Sequence, residues 1–250
     1  MSAAPARPRR ARRRAPHRAP RRTRRAGGVL RAFATALIAT GALLLADAAL
    51  TLVWQEPLSS IYAHVEQGRL RDRLDRLEHF TVTPGERRAL ARLPDARRRL
   101  AFAARSLARR THEGDPLGRL RIARMDLSVV VVEGTAAGDL RDGPGHYPAT
   151  PLPGQPGTVA VAGHRTTYGA WFRRLDRLRP GDPIRLDMPY GGFDYRVERT
   201  RVVAPTALWV TRRVAYDRLV LSACQPLYSA AQRIVVFARL VAGRPGGAAA

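Results

Sequence analysis

The feature that most constrains the fold is a series of short apolar runs that starts after Gly118 and continues almost to the end of the chain. Gly and Pro residues separate these runs. Short strands at regular spacing, with turn residues between them, are typical of a β-sandwich or a β-barrel. The runs predict strands at residues 120–123, 129–133, 158–163, 183–187, 193–203, 218–224 and 234–241. We therefore expect an all-β fold for the second half of the chain.

One short helix is expected among these strands. Trp171, Phe172, Leu175 and Leu178 recur at helical intervals within residues 168–178. We expect these aromatic side chains to belong to the core rather than to a binding site.

The only cysteine of the chain, Cys224, stands at the end of one predicted strand. Gln225 and Pro226 end that strand, so the thiol lies where a strand opens into a loop. Arg233 opens the next apolar run, and the guanidinium can return to the sulfur if the two runs pair as neighbouring strands. A fixed cation there would favour the thiolate and could hold an oxyanion. A buried, inert cysteine followed by a surface arginine is the alternative.

A histidine ends another predicted strand. His164 follows Gly163 directly after the apolar run that starts at Thr158. A histidine that follows a glycine at a strand end is less typical of a buried core residue than of a catalytic residue, which can serve as a general acid or base. Cys224, His164 and Arg233 therefore form a testable catalytic constellation.

These residues and their spacing resemble the sortase family, the cysteine transpeptidases that attach surface proteins to the Gram-positive cell wall. In that family the nucleophile ends a Thr-Leu-x-Thr-Cys strand, the histidine follows a strand ending in Gly-His, and an arginine begins the strand after the cysteine. Residues 220–224, residues 162–164 and Arg233 match these motifs. Both threonines of the cysteine motif are replaced here, by Val220 and Ala223.

The similarity covers residues 118–242 and is closest in character to the actinobacterial class E branch. The segment 143–148, with the Pro and Gly residues after it, resembles the approach to the histidine strand in that branch. The resemblance implies an eight-stranded β-barrel. The sequence itself shows no metal cluster, since Asp139 and Asp142 are typical of a solvated loop, and we expect no cofactor. The resemblance also implies cleavage of a Leu-Ala-x-Thr-Gly sorting signal on secreted proteins, and transfer of the acyl group to a cell-wall precursor amine.

The resemblance assigns roles to three side chains and suggests others for substrate binding. Cys224 would be the nucleophile, His164 the proton donor and acceptor, and Arg233 the group that binds the substrate backbone and the oxyanion. A structural role is the alternative for His146, whose loop is stiff and tight. The substrate-binding candidates are His146, Tyr147, Thr166, Tyr168 and Ala223.

The first part of the chain predicts a membrane anchor. Residues 1–28 are rich in Arg and Pro, contain no acidic residue and predict a disordered tail. Residues 29–54 are apolar over a length that crosses a hydrocarbon core of about 30 Å. The arginines before this helix place the N-terminus in the cytoplasm and the rest of the chain outside. A cleaved secretory signal is the alternative, but the apolar stretch is longer than such signals usually are.

Residues 55–117 predict a helical spacer between the membrane and the β-domain, while residues 243–250 predict a flexible tail. The spacer carries charges of both signs at helical intervals, which favours a solvated stalk over a regulatory helix packed on the active site. Breaks are expected at Pro84 with Gly85, and a second helix is expected to start near Pro94.

Charge does not by itself indicate a nucleic-acid partner. The formal net charge is +24, but all 44 basic residues are Arg and none is Lys, a bias typical of GC-rich genomes. The transmembrane helix and the lack of aromatic residues interleaved with basic ones argue against nucleic acid. Two functions remain open: a membrane-anchored transpeptidase, and a non-catalytic membrane-anchored β-domain that binds cell-envelope peptides with a structural Cys224.

Overall fold

A computed structural model describes residues 23–54, 57–78 and 83–246 of the chain. The chain divides into two units near residue 50. The first contains most of helix α1 (Thr23–Trp54), in which Gly28–Ala49 is long and apolar enough to cross a membrane and is fully exposed. The helix starts before the predicted boundary at residue 29. The disorder predicted for residues 1–22 lies outside the described residues.

The second unit is built on a closed barrel of eight strands, as predicted. All seven predicted strands are present, together with one that was not predicted. The order of the eight strands around the barrel is β1-β2-β3-β4-β7-β8-β6-β5. The unpredicted strand is β3, which has only two residues and therefore no periodicity that a sequence pattern could show. The strands are β1 (Pro116–Ile122), β2 (Leu127–Glu133), β3 (Gly145–His146), β4 (Thr158–Ala162), β5 (Pro183–Met188), β6 (Gly191–Val203), β7 (Arg218–Gln225) and β8 (Gln232–Pro245).

Strand β7 is buried on both of its faces. Leu219, Leu221 and Ala223 point into the main core inside the barrel. Val220 belongs to a second apolar cluster on the opposite face of the strand, together with Val235 of β8. Because successive side chains of a strand alternate between faces, Cys224 shares the face of Val220. This outer face is where a substrate could reach the thiol.

The last strand is longer than predicted. Strand β8 continues to Pro245, which pairs with Gly191 of β6. Residues 243–245 are therefore part of the barrel and not of a flexible tail. Residues 247–250 lie outside the described residues.

The helices between the two predicted domains do not form a solvated stalk. Leu100, Ala103, Ala104 and Leu107 of one helix belong to the main core of the barrel. The expectation of helices was correct, but opposite charges at helical spacing do not show which face is buried. The preceding helix ends at Glu78, before the predicted break at Pro84, and Pro84 itself starts the next helix, because proline is compatible with the first helical turn. The helices are α2 (Pro57–Glu78), α3 (Pro84–Ala91), α4 (Ala96–Ala108) and α5 (Ala137–Asp142).

Helix α2 is joined to the barrel through the amide of Gln67. Its Oε1 accepts from the backbone N–H of Val130 at 2.8 Å, and its Nε2 donates to the carbonyl of the same residue at 3.0 Å. Nε2 also donates to the carbonyl of Asp142 at 3.0 Å. Leu70 and Leu74 cover the adjacent valines of β2. The helix thus completes the hydrogen bonding of a strand that would otherwise be open.

The helix predicted at residues 168–178 is wrong in form. The segment contains two short 3-10 turns, Tyr168–Ala170 and Leu175–Arg177. Tyr168, Gly169 and Ala170 all have positive φ, which a regular α-helix excludes. The prediction that Phe172 is a core residue is correct, since its side chain is fully buried.

Candidate active site

The barrel brings the three predicted catalytic residues to neighbouring strand ends. Strands β4 and β7 pair in parallel, and their last paired residues are Ala162 and Ser222. His164 and Cys224 each stand two residues beyond that pair. Strand β8 runs antiparallel to β7, and Cys224 pairs in register with Arg233. Residues that are far apart in sequence are therefore carried to one edge of the barrel by rigid strands.

Arg233 lies beside the half-buried free thiol of Cys224 and is oriented by its own loop. Its Nη1 donates to the carbonyls of Ala230 and Gln232, at 3.0 Å each. A guanidinium has five N–H donors in a planar fork, so contacts through Nη1 orient the group without exhausting it. The arrangement supplies a fixed positive charge at the cysteine end of β7.

His164 is half-buried in the loop that follows β4. Burial lowers the pKa of its imidazole below the usual value of 6.5, and the charge of Arg141 lowers it further. Its ring lies against that of Tyr168, with 5.4 Å between centroids. The carbonyl of His164 accepts from the N–H of Phe172 at 3.0 Å, which fixes the backbone at this point. Near neutral pH the imidazole is therefore mainly uncharged and able to accept a proton.

A groove of about 260 Å³ runs along the outer face of β7 and β8. Val220, Ser222, Val235 and Arg233 form its sheet side. The other wall is the segment between β6 and β7, which includes the exposed side chain of Leu208. Most binding pockets combine apolar walls with a few convergent polar groups. This groove has that character, and of the three predicted catalytic residues Arg233 lines it while Cys224 and His164 do not.

The segment between β6 and β7 was not recognised in the sequence as part of the site. Pro205, Leu208, Val210 and Thr211 of this segment line the groove, together with Val203 at the end of β6. The available signal was an apolar stretch that contributes no strand of its own. Apolar residues that form no strand can still be covered by packing against a sheet, and here they face the outer side of β7 across the groove.

His146 is held inside the protein, which favours its structural alternative over substrate binding. Its side chain is buried, and its Nδ1 lies 2.8 Å from a carboxylate oxygen of Glu133. Its Nε2 lies 3.1 Å from the hydroxyl of Thr150 and 3.3 Å from the carbonyl of Pro151. Both ring nitrogens thus have partners, which join β3 to the end of β2 and to the loop that follows β3.

The other substrate-binding candidates have different surroundings. Tyr147 lines the groove, and its hydroxyl lies 3.3 Å from that of Ser222. Tyr168 contacts His164 and is covered by Arg141, whose guanidinium carbon lies 5.7 Å from the ring centroid. Thr166 is half-buried in the same loop. These three remain predictions.

Ala223 does not offer its side chain to a substrate. The side chain is 4% exposed and belongs to the core inside the barrel. The strand alternation explains this position, because Cys224 and Ala223 are successive residues and point to opposite faces. Replacement of the family's threonine here changes the core. The other replacement, Val220, places an apolar side chain in the groove.

Metal ligation is not indicated at this site. Within the part of the chain that the structure describes, no group of three or more His, Cys, Asp and Glu side chains is arranged to hold a metal ion.

A closed barrel with a cysteine, a histidine and an arginine at adjoining strand ends offers a nucleophile, a proton carrier and a fixed cation for acyl transfer. Residues 120–241 match the family model described as the sortase domain. By its sequence and its eight-stranded barrel, this part of the chain is similar to the sortase family. Members of the family are cysteine transpeptidases.

Three relatives illustrate the similarity. Sortase D of Bacillus subtilis is 33% identical over 133 residues, which cover 51% of this chain and 65% of that protein. The structure of the Clostridium perfringens Sortase D5 transpeptidase gives a TM-score of 0.52 at 25% identity, covering 56% of this chain and 88% of the other. Sortase E1 of Streptomyces coelicolor, with a tripeptide in the active site, gives 0.50 at 28% identity, covering 53% and 91%. The match thus spans less than two thirds of the Bacillus protein.

Proposed function

We propose that this chain is a membrane-anchored cysteine transpeptidase that cleaves a sorting signal between Thr and Gly and transfers the acyl group to a cell-wall amine. The observation that carries the proposal is the register of three strands. It places Cys224 opposite Arg233 and places His164 at the equivalent end of the adjoining strand. The similarity of residues 120–241 to the sortase domain supports the same reaction class.

The first half of the reaction forms a thioester. The sulfur of Cys224 attacks the Thr carbonyl carbon while its proton passes to the neutral imidazole of His164. Arg233 stabilises the oxyanion of the tetrahedral intermediate. The C–N bond then breaks, and His164 returns the proton to the leaving Gly amine. A lowered histidine pKa suits this sequence, because the group must be free to accept a proton at neutral pH.

The second half transfers the acyl group. An incoming amine attacks the thioester carbonyl, and His164 takes a proton from that amine. The C–S bond breaks, the new amide is released, and the sulfur regains its proton. The same two side chains therefore serve both halves of the reaction, and no further reactant is consumed.

The groove supplies the substrate-binding surface in this proposal. Its apolar floor, formed by Val220 and Val235, suits the aliphatic residue at the start of a sorting signal. We assign a Leu-Ala-x-Thr-Gly signal, in keeping with the class E resemblance and with the similarity to Sortase E1. The apolar helix near the N-terminus would anchor the enzyme, with the arginine-rich end in the cytoplasm and the barrel outside.

Peptide cleavage tests the proposal. The full chain in detergent should cleave a Leu-Ala-x-Thr-Gly peptide between Thr and Gly and join the acyl part to an added amine. A Leu-Pro-x-Thr-Gly peptide tests the assigned signal, and Cys224→Ala is the control. Binding of the peptide without cleavage would favour the non-catalytic β-domain instead.

Protease protection tests the orientation separately. Protease added to intact cells should degrade the barrel and leave the N-terminal end. Protection of the barrel would place it inside and would contradict a wall-facing function.

A further inference from the structure

Arg165, the residue directly after His164, is an arginine buried inside the active-site edge of the barrel. Only 4% of its side chain is exposed. Its Nη1 donates to the side-chain oxygen of Gln225, the residue directly after Cys224. One guanidinium therefore connects the neighbour of the predicted proton carrier with the neighbour of the predicted nucleophile.

The same guanidinium reaches a third segment. Its Nη2 donates to the carbonyl of Arg173 at 3.2 Å and to a carboxylate oxygen of Asp176 at 3.0 Å. These residues belong to the loop that also holds the backbone of His164 through Phe172. Arg165 thus makes contacts within the loop that carries His164 and also joins this loop to the end of β7.

Regular strand pairing does not extend as far as the two reactive side chains. The β4–β7 ladder ends at Ala162 with Ser222, and one further hydrogen bond joins the N–H of Gly163 to the carbonyl of Ser222 at 3.0 Å. Beyond this point β4 gives way to a loop. A side-chain contact that bridges this loop to the end of β7 can set their separation where the ladder cannot.

A second contact joins the same two loops farther from the barrel. The Nη2 of Arg173 lies 3.4 Å from the hydroxyl of Tyr228, and its guanidinium carbon lies 5.8 Å from the centre of that ring. Arg173 is itself a partner of Arg165 through its carbonyl. The loop after β4 is therefore linked both to Gln225 at the end of β7 and to Tyr228 in the loop after β7.

We propose that Arg165 is a positioning residue which, through Gln225, fixes the separation of His164 and Cys224 in the transpeptidase reaction. This role rests on the proposed function. Burial of an arginine is costly unless its donors are satisfied. Both Nη atoms of Arg165 have partners on segments that carry the chemistry, while its buried Nε has none among the described residues. Misplacement of reacting groups by about 1 Å can lower a rate about a hundredfold.

Two variants, made in the full chain in detergent, separate the hydrogen bonds of Arg165. Gln225→Met removes only the hydrogen bond to the end of β7. It should lower kcat about tenfold and leave KM within about twofold, because geometry and not peptide binding is affected. Arg165→Met removes all of its hydrogen bonds and should lower kcat further, to about a hundredth of the wild-type value. The double variant should be no worse than Arg165→Met, because the two residues act as one unit.

The titration of His164, followed by NMR of ring-labelled histidine and assigned with His164→Gln, is the second readout. In Arg165→Met its pKa should rise toward the usual value, because a loosened loop hydrates the ring while Tyr168 and Arg141 still face it. In Gln225→Met it should stay at the wild-type value, because the contacts to Arg173 and Asp176 remain.

Arg218 provides a matched control. It is equally buried, at 4%, and lies at the opposite end of β7, where its Nη2 donates to the carbonyls of Val210 and Arg212. Because Val210 lines the groove, Arg218→Met should raise KM as well as lower the melting temperature, while leaving kcat and the His164 titration at wild-type values. A merely structural role for Arg165 predicts the same pattern for both arginines.

The outcomes are distinguishable. Wild-type kcat in folded Gln225→Met, or equal effects of Arg165→Met and Arg218→Met, would overturn the positioning role. If Arg165→Met does not fold, Gln225→Met alone decides through its kcat. A wild-type chain without turnover would count against the proposed function, and the titration of His164 in Arg165→Met would still decide whether Arg165 holds the histidine loop.

Discussion

Cys224 and Arg233 are directly opposite each other in the antiparallel ladder of β7 and β8. Directly opposed residues have side chains on the same face of a sheet, at the closest spacing that a ladder provides. The ladder therefore places Arg233 beside the cysteine, and the carbonyls of Ala230 and Gln232 orient its guanidinium. Substitutions of Arg233 should consequently affect the chemistry and leave the fold unchanged.

Arg233→Lys should lower kcat/KM about a hundredfold or more. Lysine keeps the positive charge but loses the planar fork that can bind an oxyanion or a peptide carbonyl in two places. Steady-state peptide cleavage measures the effect. Arg239→Lys is the matched control, because this arginine lies farther along β8 and pairs with Glu198. Near-normal turnover of Arg233→Lys would mean that the guanidinium does not contact the reacting group.

Arg141→Gln should raise the pKa of His164. Removal of a nearby cation favours the protonated imidazole, while burial continues to hold the pKa below 6.5. Since the reaction needs the neutral imidazole as base, the acidic limb of the pH profile of kcat/KM should move to higher pH. NMR titration of His164 gives the direction directly. Arg121→Gln, on the remote strand β1, should leave the titration unchanged, and an unchanged or lowered pKa in Arg141→Gln would contradict the assignment.

Gln67→Met should destabilise the barrel unit by about 1–3 kcal/mol, because it leaves the N–H and carbonyl of Val130 buried without their side-chain partner. Thermal unfolding of the full chain in detergent, followed by near-ultraviolet circular dichroism, measures the loss. Arg69→Met, whose side chain is 71% exposed on the same helix, is the control and should have little effect. Equal melting temperatures for both variants would show that helix α2 does not support the barrel.

Much of the barrel could be predicted from local patterns, because its strands are apolar runs bounded by turn residues. The position of Cys224, His164 and Arg233 at neighbouring strand ends was also predictable, since each lies at the end of such a run, while their catalytic roles stay predictions. Strand β3 was not, because Gly145 and His146 owe their pairing to neighbouring strands. The packing of α2 was hidden for a similar reason: Gln67 is polar in sequence, but its burial depends on a backbone partner in β2.

The surroundings of individual side chains could not be predicted without knowledge of the fold. Ala223 and Cys224 are adjacent in sequence, yet one side chain lies in the core and the other on the groove face. Arg165 looks like a loop residue in sequence, and its burial depends on Gln225 and Asp176, which come from two other segments. Long-range contacts of this kind leave no local pattern.

The central claim is that Cys224 forms a thioester with the acyl part of a sorting signal. Intact-protein mass spectrometry after mixing the full chain with a Leu-Ala-x-Thr-Gly peptide tests it most directly. The account predicts an added mass equal to the peptide up to Thr, located on Cys224, removed by hydroxylamine and absent in Cys224→Ala. Cleavage of the peptide without any adduct on Cys224, or the same adduct in Cys224→Ala, would contradict it.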